Sequence, residues 1–362
     1  MKIAILGGGH GAYAAAADLS EKGHEVRLWR RDAAAFAPVL DSRTIRLRDA
    51  DGVRNVAIAK PTTDIGVAVR GAQLLLIPAP AFAQPDLARA IAPHLEDGQV
   101  VFLPPGTFGA YIMDGIARGA GARAQVTYAE TGTLPYLARK RVTGGAIDEI
   151  AITIRATRLP TGVFPAKRSE YAHEIIARAY PAIEPCEDAL SAALMNAGPI
   201  IHPPLILLNA APLQHFERWD IHHEGTQPAV RAVTDALDAE RVAIREALGY
   251  RSPHFPLADH YNSDRWMYGD AHKKLVDSGD WREHIDLHQH RYMTEDVVLG
   301  LAFLDSVARW ASVEAPVTSG LLAVAGAILG RDLRRGPRTL GALGLDTKTP
   351  RELEQLLGEG RQ

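Results

Sequence analysis

The sequence predicts an α/β domain with a Rossmann-type, doubly wound parallel sheet, followed by an all-α domain. Three observations support this fold class. Short apolar runs alternate with helical segments in the first half, a glycine-rich loop follows the first run, and helical patterns fill the second half. Short buried strands that alternate with helices are typical of a parallel sheet. The predicted domains span residues 1–182 and 183–362.

The first strand and its loop give the strongest local signal. Residues 2–6 are apolar, and residues 7–12 read Gly-Gly-Gly-His-Gly-Ala before a segment of helical composition. This matches G-x-G-x-x-G/A between a strand and a helix, where the backbone approaches a pyrophosphate at the helix N-terminus. A glycine-rich turn of purely structural use is the alternative. The predicted dinucleotide contacts in this loop are Gly7, Gly9, His10, Gly11 and Ala12.

The end of the second strand indicates which dinucleotide binds. An NAD site usually has an acidic residue about twenty positions further on, which binds the ribose 2′-OH. Here Arg30 and Arg31 follow Trp29, and a guanidinium suits a 2′-phosphate. NADP(H) is therefore favoured. NAD(H) stays open, because Arg30 and Arg31 can instead be solvated while Asp32 turns inward to the ribose.

Further apolar runs predict strands at residues 44–47, 56–59, 74–77, 100–103, 125–129 and 146–155. Ligands of a doubly wound sheet bind at the carboxyl ends of its strands. Pro80, which follows one of these ends, is a predicted cofactor contact. Glu130 and Thr133, which follow another, are predicted to orient a substrate, although both can simply hold their loop.

The composition excludes several classes of protein. The chain of 362 residues is 47% hydrophobic and 23% charged, with a net charge of −3 and no dense Lys/Arg tract. This is ordinary for a globular protein, and nucleic acid is not an expected partner. Cys186 is the single cysteine, which excludes an internal disulfide and fits a reducing compartment, the cytoplasm. The apolar stretch at residues 317–330 is too short and glycine-rich to span a bilayer, so no membrane contact is expected.

Helical spacing of apolar residues dominates the second domain. Predicted helices span residues 228–248, 295–311, 318–329 and 350–357. Gly249 is suited to end the first of them, and Thr294 is suited to cap the second. Pro203 and Pro204 disfavour helical geometry at the preceding residue, His202.

Two residues of this domain are candidates for chemistry. His202 lies in an otherwise apolar run, where a core histidine with one hydrogen bond is an equally good interpretation. Asp296 lies in the first turn of its predicted helix, where the helix dipole favours a carboxylate without any catalytic role. The sequence pattern alone therefore leaves both roles open.

Several histidines raise the question of a metal site. They are His222, His223, His284, His288 and His290. Histidines spaced i, i+4 share one helix face, but the usual carboxylate or thiolate ligands do not accompany them in the sequence. No metal is predicted.

Four segments, in this order, resemble the octopine/nopaline dehydrogenase family, and the resemblance covers almost the whole chain. They are the glycine-rich loop, the Glu-Thr-Gly-Thr-Leu-Pro-Tyr segment Glu130–Tyr136 with Arg139 after it, the Asn…His-Pro…Leu-Asn run Asn196–Asn209, and the Arg-Tyr-Met-Thr-Glu-Asp segment Arg291–Asp296. The resemblance implies a dinucleotide-binding domain followed by a helical domain. It also implies reductive condensation of a 2-oxo acid with an amino acid or amine through an imine.

The resemblance assigns roles to named residues. The family's catalytic His and Asp correspond to His202 and Asp296, and its substrate-carboxylate Arg corresponds to Arg291. Histidine suits proton exchange near neutral pH, and a carboxylate on the other ring nitrogen fixes the tautomer. Arginine binds a carboxylate through two parallel hydrogen bonds. Tyr292 is an expected neighbour in the amine pocket.

Two other functions stay open. A 2-oxo acid or keto-alcohol reductase, like ketopantoate reductase or glycerol-3-phosphate dehydrogenase, would use a catalytic lysine in its helical domain. Lys273 and Lys274 are the lysines in question, and they lie in a polar stretch. A redox sensor that binds NADP(H) without turnover would need the glycine-rich loop but not the His–Asp–Arg set. A homodimer is compatible with all three functions.

Overall fold

The computed structural model describes residues 1–143, 146–262, 265–269 and 285–361. Lys273, Lys274 and His284 lie outside the described residues. The chain divides into two compact units. The first consists of Met1–Ala79, Ala83–Ala193 and Leu357–Gln362, and the second of Pro80–Phe82 and Leu194–Leu356.

The strands form two sheets in the first unit. In chain order they are β1 (Lys2–Leu6), β2 (Glu25–Trp29), β3 (Thr44–Asp49), β4 (Gly52–Ala57), β5 (Lys60–Thr62), β6 (Leu74–Leu76), β7 (Val100–Leu103), β8 (Thr127–Thr131), β9 (Tyr136–Thr143), β10 (Ala146–Arg155), β11 (Leu159–Phe164) and β12 (Ile183–Pro185). The eight-stranded sheet has the order β12-β11-β8-β7-β6-β1-β2-β5, and the four-stranded sheet has the order β4-β3-β10-β9.

The larger sheet confirms the predicted Rossmann-type fold. Its neighbouring strands run parallel except for β11, which is antiparallel to β8. The smaller sheet is mainly antiparallel, with one parallel pair between β10 and β3. The strand predicted at residues 146–155 is present in the first unit as β10. It lies in the smaller sheet, where it pairs with β9, the strand before it in the chain, and with β3.

The α-helices, in chain order, are α1 (His10–Glu21), α2 (Ala37–Ser42), α3 (Ile65–Val69), α4 (Gln84–Ile91), α5 (Gly109–Gly119), α6 (Ser169–Ala177), α7 (Ala189–Ala193), α8 (Gly198–Leu208), α9 (Ala210–His215), α10 (Pro228–Ala247), α11 (Ala258–Asn262), α12 (Ala302–Trp310), α13 (Pro316–Leu329) and α14 (Pro350–Glu359). A π-helix spans Tyr292–Leu301. Short 3₁₀ turns occupy Ala81–Ala83, Ala92–His94, Ala166–Arg168 and Leu333–Arg335.

The first unit ends later than the predicted boundary after residue 182. Strand β12 joins the larger sheet as the parallel neighbour of β11. Asp188, the residue before α7, approaches β11 so closely that a Cβ on Gly162 would lie 1.9 Å from its carbonyl oxygen. These contacts place residues 183–193 in the first unit.

Two parts of the second unit differ from expectation. His202 lies inside α8, which continues through Pro203 and Pro204. The prolines remove two backbone donors but do not end the helix, because they are buried with their neighbours in an apolar environment. The α-helix predicted from residue 295 begins instead as the π-helix and becomes α-helical only at Ala302.

Among the described residues, one helical stretch, Ala189–Leu208, is long and apolar enough to cross a bilayer by length and composition. It is 78% buried inside the protein. A buried core helix passes the same test, so this stretch is weak evidence for a membrane span.

A buried carboxylate links α1 to β9 and β10. Asp18 accepts hydrogen bonds from Lys22 Nζ at 2.7 Å, Arg155 Nε at 2.8 Å and the Tyr136 hydroxyl at 2.7 Å. Burial opposes ionisation of Asp18, but these donors outweigh it and hold the pKa of the carboxyl below its usual value. The helix of the nucleotide-binding βαβ unit is therefore fixed to the smaller sheet by a charge cluster.

We predict that Asp18→Asn lowers the free energy of unfolding by about 2 kcal/mol at neutral pH, since it removes the charge of a buried carboxylate that accepts hydrogen bonds from Lys22 and Arg155. A carboxyl whose pKa falls on folding stabilises the protein above its unfolded pKa of about 3.9, and this contribution disappears as the pH falls through the folded pKa. Urea unfolding from pH 7 downward should show the two proteins converging in acid.

The control is Asp86→Asn, which removes an exposed ion pair with Arg89 whose side chains are 78% and 61% exposed. It should change stability by less than about 0.5 kcal/mol. An Asp18→Asn protein as stable as this control would show that the cluster does not hold α1 in place.

Candidate active site

The predicted dinucleotide loop has the geometry of a phosphate cradle. Gly7 has φ +145°, a conformation that residues with a side chain rarely adopt, and Gly9 is the N-cap of α1, where no side chain caps the N-terminal N–H groups. A Cβ on Gly11 would lie 3.0 Å from Pro78 Cβ, whereas a Cβ on Gly9 would meet open space. The loop therefore fits a dinucleotide pyrophosphate, which would bind to the N–H groups at the start of α1.

His10 and Ala12 complete the loop in different ways. Ala12 is fully buried, and its Cβ lies 3.6 Å from the Cβ position of Gly7, so the helix stays close to β1. His10 Nδ1 accepts a hydrogen bond from the backbone N–H of Lys140 at 2.8 Å. The loop is thereby connected to β9 of the smaller sheet.

The two arginines after β2 are placed differently. Arg30 is half-buried, donates to the Tyr13 hydroxyl at 3.3 Å and to the Ala35 carbonyl at 3.0 Å, and lies against Gly8 of the loop. Arg31 is exposed. Asp32 is also exposed, and its Oδ1 accepts from the backbone N–H of Ala35 at 3.0 Å. This arrangement favours Arg30 over Asp32 as the residue beside a bound ribose.

Glu130 holds a loop through both of its carboxylate oxygens. Oε1 accepts from the N–H of Phe108 and Oε2 from that of Ala110, both at 2.7 Å. Glu130 is fully buried, and a Cβ on Gly106 would collide with it at 2.4 Å. The structure thus gives Glu130 a loop-fixing role, and its substrate contact stays a prediction. The carbonyl of Thr133, likewise buried, accepts from the Thr131 hydroxyl.

The second unit brings His202 and Asp296 together. His202 on α8 and Asp296 in the π-helix form a hydrogen bond of 2.7 Å between Nδ1 and Oδ2. Their side chains are 16% and 5% exposed. A buried carboxylate on Nδ1 fixes the ring orientation and the tautomer, as in other His–Asp pairs that exchange protons with a substrate through Nε2. The pattern of the sequence left these two roles open, and the geometry pairs the residues.

Tyr292 packs directly on this pair. Its ring stacks on His202 with centroids 3.6 Å apart and an interplanar angle of 11°. The Tyr292 hydroxyl lies 3.0 Å from His222 Nε2, and the ring of His290 meets Tyr292 edge-on at 4.3 Å. Tyr292 therefore fixes one face of the His202 ring, and its own hydroxyl is held by His222.

The π-helix controls how Arg291 and Asp296 are placed. Arg291 precedes the first π-helical residue, and Asp296 follows it by five positions. In an α-helix five positions correspond to a rotation of about 140° beyond a full turn, which would separate the two side chains. A π-helix closes its turn with i→i+5 hydrogen bonds, which brings the two backbone positions closer to one side. The positive charge of Arg291 lowers the pKa of Asp296, while its Nε lies 3.8 Å from Glu295 Oε2.

Two adjacent carboxyl groups lie in this buried region. Burial raises the pKa of Asp296 to about 7, although the nearby charges of Arg291 and His290 lower it in part. Burial and the charge of Asp296 also raise the pKa of Glu295. Groups with such shifted pKa values in one cluster are typical of functional sites.

Glu295 connects the π-helix to the segment after β6. Its Oε1 accepts from the N–H of Ala81 at 2.7 Å, and its Oε2 lies 3.8 Å from Arg291 Nε. The carbonyl of Ala81 accepts from the buried Arg338. Pro80 precedes this tethered residue and belongs to the second unit. Its cofactor contact stays a prediction.

Some contacts of the site were not predicted from the sequence. His222 was considered only as a metal ligand, and its bond to Tyr292 has no local signature. Gly198, at the start of α8, allows the close approach of Asp296, since a Cβ there would lie 2.4 Å from Oδ1. Among the described residues, no group of three or more His, Cys, Asp or Glu side chains is arranged to hold a metal ion.

Comparisons with known proteins match both halves of the chain. Residues 185–329 match the family model of the NAD/NADP octopine/nopaline dehydrogenase α-helical domain, and residues 2–126 match the N-terminus of NAD-dependent glycerol-3-phosphate dehydrogenase. The chain is 31% identical to an opine dehydrogenase of Arthrobacter sp. (strain 1C), with 96% of each protein covered.

Two solved structures share the fold. Octopine dehydrogenase in complex with NADH and agmatine has a TM-score of 0.69 at 20% identity, with 96% of this chain and 99% of that chain covered. NADP⁺-bound yersinopine dehydrogenase has a TM-score of 0.66 at 18% identity, with 99% and 98% covered. The similarity therefore extends over both units of the chain.

We predict that Gly198→Ala disrupts the His202–Asp296 pair without unfolding the protein. The new methyl group can be accommodated only if the Asp296 carboxylate turns away from His202, because the carboxylate is the movable group at the contact. The low-field proton resonance of the Nδ1–H bonded to the carboxylate should be lost from the NMR spectrum.

The matched control is Gly320→Ala in α13, where a Cβ meets nothing within 4 Å. It should leave the resonance unchanged and stabilise the helix by up to about 1 kcal/mol. A Gly198→Ala protein with an intact resonance would contradict the placement of Asp296.

Proposed function

Because the chain belongs to the octopine/nopaline dehydrogenase family, it is an NAD(P)-dependent oxidoreductase acting on CH–NH bonds, and we propose that its substrates are a 2-oxo acid and an amino acid or amine. Condensation of the two gives an imine, whose reduction yields a secondary amine. The observation that carries the proposal is the buried hydrogen bond of 2.7 Å between His202 and Asp296, with Arg291 acting on the same carboxyl.

His202 is the proposed proton-exchange residue. Condensation requires the amine to lose protons and the carbonyl oxygen to leave as water, so a group that both gives and takes a proton near pH 7 is needed. With Asp296 on Nδ1, the proton exchanged with the substrate is carried by Nε2. Stacking on Tyr292 holds the ring plane in place.

Arg291 is the proposed anchor for the 2-oxo acid. A guanidinium binds a carboxylate through two parallel hydrogen bonds and thereby orients the neighbouring carbonyl. The side chain of Arg291 is 43% exposed, so an incoming anion can reach it.

Tyr292, the next residue, is proposed to line the amine pocket. The amine partner is accordingly expected to be apolar or aromatic.

NADP(H) is the proposed cofactor, and when bound it supplies the hydride. The glycine cradle at the N-terminus of α1 fits its pyrophosphate. Arg30 is the proposed contact for the 2′-phosphate, because it lies just beyond β2 and against the loop. The remaining proposed contacts are Gly7, Gly9, His10, Gly11, Ala12, Arg31 and Pro80.

We also propose a cytoplasmic location, supported by the single cysteine, and a homodimer.

A catalytic lysine defines the rival reductases. The candidate lysines Lys273 and Lys274 lie outside the described residues. The His–Asp pair is present in α8 and the π-helix, and the match to glycerol-3-phosphate dehydrogenase covers residues 2–126. The His–Asp pair and the limited extent of this match favour imine chemistry over reduction of a ketone.

The test is NADPH oxidation with pyruvate or glyoxylate, with and without a panel of amino acids and amines. We expect oxidation only when both partners are present, with a secondary amine detected by mass spectrometry. His202→Ala should lower turnover by roughly 10² to 10⁴ while NADPH still binds, and Asp296→Asn should cause a large loss through the wrong tautomer. Full activity with the 2-oxo acid alone would identify a ketone reductase, and NADPH binding without any turnover would identify a sensor.

Arg291→Lys tests the carboxylate anchor. An ammonium is a point charge and cannot reproduce the guanidinium fork. The KM for the 2-oxo acid should therefore rise by about tenfold, or about 1.4 kcal/mol, while the affinity for NADPH is unchanged. Arg309→Lys, which alters an arginine paired with Asp305 on α12, is the control and should leave both values unchanged. A rise in the amine KM instead would assign Arg291 to the amine.

A further inference from the structure

Two cations of the first unit lie against the same residue of the dinucleotide loop. Lys140 on β9 donates from Nζ to the carbonyl of Gly8 at 3.1 Å. A Cβ on Gly8 would lie 2.8 Å from both Cδ and Nε of Arg30. An ammonium and a guanidinium, from two different sheets, therefore flank Gly8.

Neither cation has a carboxylate partner in the part of the chain that the structure describes. Arg30 donates to the Tyr13 hydroxyl and the Ala35 carbonyl, and the Lys140 ammonium donates to a backbone carbonyl. Burial, followed by the charge of Arg30, lowers the pKa of Lys140. Two half-buried like charges without a counter-charge are unfavourable, so the pair indicates a place where a ligand supplies the anion.

The position of Lys140 is fixed from two sides. Its backbone N–H donates to His10 Nδ1 at 2.8 Å, at the first residue of α1, and its Cα pairs with that of Ile150 on β10. Residues on a strand with such support are held more precisely than residues on a free loop. The backbone of Lys140 is thus held beside the loop, and the hydrogen bond from Nζ to the Gly8 carbonyl places the ammonium there.

We propose that Lys140 binds the 2′-phosphate of NADP(H) together with Arg30 and is a determinant of cofactor specificity. The proposal rests on the proposed NADP(H) dependence. In dinucleotide-binding folds the end of the second strand recognises the ribose 2′ position, whereas the pyrophosphate lies at the helix N-terminus. Arg30 is the first residue after β2, so the anion that fits both cations is the 2′-phosphate.

In the resulting site, the guanidinium and the ammonium contribute differently to phosphate recognition. Arg30 offers a planar fork whose orientation is already fixed by Tyr13 and Ala35. Lys140 contributes a compact charge with three donors, and the bond to the Gly8 carbonyl uses one of them. A bound phosphate would therefore be recognised by its charge through Lys140 and by its geometry through Arg30.

Equilibrium binding of two fragments by calorimetry tests the proposal without any turnover. 2′,5′-ADP carries the 2′-phosphate, and 5′-ADP lacks it. Lys140→Met should weaken 2′,5′-ADP and NADPH by about tenfold or more, and 5′-ADP and NADH by no more than about twofold. Lys140→Arg should retain most of the discrimination, because it keeps the charge.

Arg141→Met is the matched control. Arg141 is the next residue on β9, exposed and on the opposite face of the strand, so its removal changes the net charge equally. It should alter both fragments little. Equal losses for the two fragments in Lys140→Met would overturn the proposal and assign Lys140 to the pyrophosphate or to support of the loop.

A measurement on the wild-type protein tests the same proposal if Lys140→Met does not fold. Reductive methylation followed by mass spectrometry reports the accessibility of each lysine. 2′,5′-ADP should protect Lys140 and 5′-ADP should not, while Lys167, which is exposed and paired with Glu359, reacts equally in both. Reaction of Lys140 at full rate in the presence of 2′,5′-ADP would overturn the proposal.

The same binding data separate this inference from the proposed function. A wild-type protein that binds both fragments equally would reject the NADP(H) preference itself. A protein that discriminates through Lys140 yet shows no amine-dependent turnover would reject the proposed reaction and leave the role of Lys140 intact.

Discussion

The hydrogen bond between His202 Nδ1 and Asp296 Oδ2 requires that α8 and the π-helix of the second unit pack closely around a buried carboxyl. Both side chains are largely buried, and an isolated buried carboxylate is unfavourable. The pair persists because α8 and the π-helix pack closely enough to hold it. Gly198 leaves room for the carboxylate, and a Cβ on Gly300 would collide with Pro199 at 2.3 Å. Two glycines thus permit the approach of the two helices.

The π-helix also determines which side chains surround the His202–Asp296 pair. Its wider turn brings the backbone positions of Arg291 and Asp296 closer to one side than an α-helix would, and its first residue, Tyr292, stacks on His202. Such helices are less stable than α-helices and occur often at functional sites. Here the irregular turn brings a guanidinium, a carboxyl and an imidazole into one electrostatic environment, in which burial raises the pKa of Asp296 to about 7.

The first unit has a different role, since it presents backbone donors and cations to an anionic ligand. Its glycine loop needs conformations and clearances that side chains would block, and its helix α1 must keep a fixed position. The Asp18 cluster supplies that fixation through Lys22 and Arg155. Each unit therefore holds a small number of charged groups on a rigid scaffold. The family assignment implies that the charged groups of both units serve one reaction.

The sequence by itself determined the features that depend on local patterns. The glycine loop between a strand and a helix required only neighbouring residues, because the conformations of Gly7 and Gly9 are local. The alternation of strands and helices likewise predicted the parallel sheet. The ordered segments of the family resemblance identified His202, Asp296 and Arg291, which spacing alone could not, since the two members of the pair lie 94 positions apart.

Only the tertiary structure decided the features that depend on packing between distant segments. Helix α8 continues through Pro203 and Pro204 because burial outweighs the loss of backbone donors. The π-helix replaces the expected α-helical start, and residues 183–193, which include β12 and α7, belong to the first unit rather than to the second. Glu130 turned out to hold the loop at Phe108, and Lys140 came to lie on Gly8 through β9. In each case the deciding energy comes from contacts with residues remote in sequence, which local propensity does not contain.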